Sequence, residues 1–230
     1  MTNDFQASLP DFFRAAALAL AEQRQALNAA DDDHGNHGDE MVALFELAAA
    51  TAHQKSVAQA TLADQMEQAA QILRSQTQNL AAQVYGRGLH VFAGRLRAGD
   101  VTLPALVHAV RNVADQEGET KPAGERKTLE TEKNSGAAIK ALVSGLDDWN
   151  QMESAADPDD PISSDRAPRS SGFGFLFDLG LAYMQAKSRT TDRIEALAET
   201  AVVSSPLAQP AYRAVAGKLA IAAFLRAMLA

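Results

Sequence analysis

The sequence predicts an all-α fold, an antiparallel bundle or barrel of about eight helices. Three observations carry the prediction. Apolar residues recur at three- and four-residue spacing along most of the chain, and no run alternates as a half-buried strand would. The periodic stretches are separated by short connections rich in Gly, Pro, Asp and Asn. A single domain over residues 1–230 is the default, because 230 residues that are 47% hydrophobic can bury one sizeable core.

Ser8 and Pro10 mark the first helix start, and Phe12, Phe13, Ala16, Ala17 and Leu20 trace one face up to Leu27. A second helix runs from about Gly38 through Met41, Leu44, Phe45 and Ala48, with His53 just past its end. The third carries Leu62, Met66, Ala69 and Leu73. The fourth covers roughly 78–96, with Leu80, Val84, Leu89, Phe92 and Leu96 facing inward, and stops at Gly99-Asp100. Thr102 and Pro104 open a fifth with Leu106, Val107, Val110 and Val113.

From Gln116 to Arg126 the pattern fails, then resumes from Leu129 with Ile139, Leu142, Val143 and Leu146. Residues 155–169 hold Pro158, Pro161 and Pro168 among four aspartates and read as an exposed loop. A seventh helix starts near Ser171. Thr191 caps an eighth with Ile194, Leu197, Ala201 and Val202, and a last helix after Pro210 turns Val215, Leu219, Ala222 and Leu225 to one side.

The net charge of −8 and pI near 5.1 argue against nucleic acid as a partner, since binding phosphate backbones needs a concentrated basic face. No cysteine is present, which excludes disulfides and thiolate chemistry. The start, Met1 to Phe5, lacks a signal-peptide pattern. Arg213, Lys218 and Arg226 interrupt the longest apolar stretch. A cytoplasmic protein with no membrane association is expected.

The chemistry concentrates in Asp31-Asp32-Asp33-His34-Gly35-Asn36-His37-Gly38-Asp39-Glu40. Carboxylates and amide oxygens are hard ligands for Mg²⁺ or Ca²⁺, and imidazole suits transition metals. The glycines permit positive φ and close approach of phosphate to backbone N–H groups. The plainer reading is a solvated acidic loop whose Asp and Asn side chains cap the next helix. The spacing matches neither HExxH nor an EF-hand loop.

Four segments together resemble the nucleotide-binding subunit of dihydroxyacetone kinase, the DhaL family. Leu27-Asn28-Ala29-Ala30 and Asp31-Asp32-Asp33-His34-Gly35 are similar to its Leu-Asp-Ala-Ala and Asp-x-Asp-His-Gly elements. Leu80-Ala81-Ala82-Gln83-Val84-Tyr85-Gly86 resembles its Ala-Ser-Gly-Pro-Leu-Tyr-Gly segment. Lys121 to Leu129 resembles its Lys-Pro-Gly-Asp-Lys-Thr-Met segment, and Arg169 to Gly174 faintly its Gly-Arg-Ala-Ser-Tyr-Leu-Gly segment. The likeness is clearest over 10–150.

The resemblance implies an eight-helix barrel whose loop end holds ADP or ATP through two Mg²⁺, with a phosphoryl group passing to dihydroxyacetone, or a similar small hydroxy-ketone, on a separate kinase subunit. Metal would fall to Asn28, Asp31, Asp33, His34 and Asn36, and nucleotide to His37, Gly38, Ala81, Ala82, Lys127, Thr128 and Arg169. No residue is assigned as catalytic.

Two registers fit the turn. With Asp31-x-Asp33-His34-Gly35 as the motif, two aspartates survive and the next helix shifts by three residues. With His37-Gly38 as the motif, the helix matches, but Asn28, His34 and Asn36 replace the three metal aspartates. Two functions follow: a divergent DhaL-like phosphotransferase, or a catalytically degenerate relative that binds a ligand or partner.

Overall fold

A computed structural model describes residues 8–76, 79–115, 186, 189–203, 205–208 and 210–230. These contain eight α-helices and no strand, which establishes the all-α class. In chain order they are α1 (Leu9–Glu22), α2 (Arg24–Ala29), α3 (His37–Val57), α4 (Leu62–Arg74), α5 (Leu80–Ala98), α6 (Leu103–Asp115), α7 (Arg193–Val203) and α8 (Ala211–Leu229), with a 3₁₀ turn at Pro206–Ala208 before α8. The helices expected near 129–146 and after Ser171 lie outside the described residues.

Each start has a local cause. At α1 the Asp11 carboxylate reaches back to the Ser8 N–H at 3.2 Å. Thr61 accepts the Asp64 N–H at 3.2 Å to open α4, and Asn79 accepts that of Ala82 at 3.0 Å to open α5. Gly99, at φ 78°, closes α5 in the left-handed conformation that glycine tolerates. Asp192, not the expected Thr191, caps α7: its carboxylate accepts the Ile194 and Glu195 N–H groups at 2.8 and 3.2 Å. A carboxylate is a stronger acceptor for helix N-terminal N–H groups than a hydroxyl.

Three more expectations change. The first helix does not run unbroken to Leu27; it breaks at Gln23 (φ −107°, ψ 8°), and the short α2 that follows carries Leu27, which is buried. His53 lies inside α3, which continues to Val57. Val215 faces outward, 53% exposed, while Ala216, Ala220, Leu225 and Met228 make the buried face of α8.

Consecutive helices pack as neighbours from α3 through α5, α1 lies against both α3 and α8, and α7 packs on α8. The first and last helices therefore meet. An aromatic chain threads this arrangement: Phe12 to Phe224 at 5.1 Å, Phe13 to Phe45 at 6.3 Å, and Phe45 edge-on to Tyr85 at 5.1 Å. On the outside, Arg226 pairs with Asp192 and Glu195, and Lys218 with Glu195 and Glu199, joining α7 to α8. No helix among the described residues is long and apolar enough to cross a membrane.

Candidate functional site

Among the described residues two places could hold a ligand: the acidic turn between α2 and α3, and an apolar hollow lined by the helices. The turn is organised around Asp31. Its carboxylate is buried and accepts four backbone N–H groups, from Asp33 (3.3 Å), His34 (3.4 Å), Asn36 (3.2 Å) and His37 (3.1 Å). Burial pushes its pKa up, but the four N–H donors together hold it below the usual carboxylate value. The Asp31 carboxylate thus takes the first N–H of α3, which starts at His37 after its N-cap residue Asn36.

The neighbouring polar groups are matched to one another. Asn28 Nδ2 donates to the Asp39 carboxylate at 2.7 Å, and the Asp39 N–H donates back to Asn28 Oδ1 at 3.2 Å. Asn36 Nδ2 donates to Glu40 at 3.0 Å. A Cβ on Gly38 would lie 2.3 Å from the Arg24 carbonyl oxygen and 2.8 Å from Asn28 Oδ1. Gly38 is there because α2 and α3 touch through it.

Asp31, Asp33 and His34 can bring one ligand atom each within 4.8 Å of one another. A carboxylate has about four lone-pair positions, and four N–H groups already occupy those of Asp31. Asp33 and His34 are exposed. These donors do not fit a pair of hard Mg²⁺ ions, which call for several free carboxylate oxygens.

The expected nucleotide contacts are dispersed. His37 is buried, its ring edge-on to Tyr212 at 4.8 Å, and its Nε2 has no hydrogen-bond partner. Burial, with Arg213 nearby, lowers its pKa against the opposing pull of Asp31. Ala81 and Ala82 are in the core, and Asn79 takes the Ala82 N–H. Lys127, Thr128 and Arg169 lie outside the described residues.

The interior is a different kind of place. A cavity of about 280 Å³ lies among the helices, walled by side chains that include Phe13, Leu44, Phe45, Met66, Phe92 and Phe224. The Tyr85 ring lines it too, while its hydroxyl is buried without a partner, so desolvation raises its pKa. Sequence reasoning missed this cavity, and also the roles of Asp39, Glu40 and Tyr212. Acidic residues in the first turn of a helix were the one available signal for the first two.

No family model, curated protein or solved structure matches this chain.

Proposed function

We propose that this chain is a catalytically degenerate, DhaL-like binding protein whose ligand is apolar and occupies the interior cavity. One observation carries the reading: a hollow of about 280 Å³ lined almost wholly by apolar side chains, which seven helices contribute. Apolar cavities of about 150 Å³ take a benzene-sized guest and stay dry without one. This cavity is nearly twice that size, which suits a single medium-length alkyl chain or a two-ring aromatic. With no charged side chain among the described residues of its walls, a polar head would have to remain at the rim.

The phosphotransferase reading asks more of the turn than its side chains offer. Phosphoryl transfer depends on fixed metal ions and cationic groups around the phosphates. Asp31, Asn28 and Asn36 serve the turn's own hydrogen bonds, and Gly38 serves helix packing. Dihydroxyacetone and its binding subunit have no part in the proposed activity.

Thermal unfolding separates the two readings. Decanoate or a naphthalene probe should raise Tm in a concentration-dependent way, because a ligand held only by the folded state stabilises it by mass action. Millimolar ATP with Mg²⁺, Mn²⁺ or Zn²⁺ should leave Tm unchanged. A nucleotide response without an apolar one would reverse the assignment.

A further inference from the structure

We propose that the side-chain amides of Asn28 and Asn36 do in this turn what a bound cation would do between carboxylates, so that the turn closes without metal. The inference stands apart from the cavity reading.

Asn28 and Asp39 are eleven residues apart and joined twice, through Nδ2 to the Asp39 carboxylate at 2.7 Å and through the Asp39 N–H to Oδ1 at 3.2 Å. Arg24 Nε lies 3.6 Å from the other Asp39 oxygen. Across the turn, Asn36 Nδ2 meets Glu40 at 3.0 Å. Asp39 and Glu40 therefore each face an N–H donor. An aspartate at 28 would instead oppose a second carboxylate at contact distance, and two such groups share a proton unless a cation lies between them. The amide removes that demand and supplies a neutral donor; it also ties the end of α2 to the first turn of α3, where Gly38 lets the backbones touch.

The test compares the wild type with Asn28→Asp and Asn36→Asp, each unfolded thermally at about pH 8, well above the carboxylate range. Samples carry either EDTA or millimolar MgCl₂ or CaCl₂. Wild-type Tm should be the same in all three to within about 1 °C. Asn28→Asp should melt lower in EDTA and recover by about 4 °C or more with Mg²⁺ or Ca²⁺. Should that variant unfold outright in EDTA, recovery of its helical signal on adding the cation supports the proposal equally. Asn36→Asp, opposite one carboxylate without the second bond, should respond in the same sense but less. A wild-type Tm that falls in EDTA and rises with either ion would overturn the proposal. So would Asn28→Asp and Asn36→Asp variants that melt, or stay unfolded, irrespective of cation.

Discussion

The acidic turn and the interior cavity invert what their residues suggest. The turn is dense in groups that bind ions, yet Asp31 accepts four backbone N–H groups, and Asn28 and Asn36 are held by Asp39 and Glu40. The cavity is walled by ordinary core side chains, yet it leaves about 280 Å³. Capacity to bind is what remains after a structure has satisfied itself. By that measure Asp31, Asn28 and Asn36 have little left, and the apolar region has a good deal.

Added bulk should move the two regions in opposite directions. Gly38→Ala puts a methyl 2.3 Å from the Arg24 carbonyl oxygen, where backbone must yield. A loss of about 1–3 kcal/mol is expected, as for other overpacked sites, and denaturant unfolding measures it. Ala220 is 1% exposed and borders the cavity. Ala220→Leu should be neutral or stabilising by up to about 1 kcal/mol, since filling a void returns about 24 cal/mol per Å³. If both variants lose stability alike, the cavity is not accommodating space.

The smallest effect expected is in pH dependence below neutrality, where His37 at the turn and Glu67, paired with His90 between α4 and α5, should respond. His37 has its pKa lowered from 6.5 by burial and Arg213. As pH falls through about 6.5 the unfolded chain takes up the proton first. Stability should therefore decline from there down to the folded-state pKa. Glu67 is raised by burial but held below 4.5 overall by its bond to His90. It contributes stability above that value, which is lost as pH falls through its depressed pKa. His37→Phe keeps an aromatic ring against Tyr212 and should abolish the upper phase alone in a Tm-against-pH series.

Much of the fold was legible because helical periodicity is local. The stripe Phe12, Phe13, Ala16, Ala17 and Leu20 is buried as its spacing requires, as are Met66, Ala69 and Leu73. Two of the errors show where it fails. At α7, Thr191 and Asp192 are both capping residues and adjacent, and only backbone geometry chooses between them. Val215 sits in a helix apolar nearly all round, where periodicity cannot pick the buried face.

The site was less legible. The turn stood out by composition, and the plainer reading, a solvated loop whose Asp and Asn side chains cap the next helix, describes the bonds of Asp31 and Asn28 to the first turn of α3 but not the burial of Asp31. That Asn28 would meet Asp39 across eleven residues depends on the break at Gln23 and the contact at Gly38. The cavity has no sequence signature, because its volume is the remainder left by helices far apart in the chain.

The most direct test is to purify the full chain, denature it in organic solvent and identify by mass spectrometry what it releases, with Ala220→Leu treated in parallel. The account predicts an apolar molecule near one equivalent per chain, reduced in the variant whose cavity is partly filled. Release of a stoichiometric nucleotide with divalent metal, unaffected by Ala220→Leu, would contradict it.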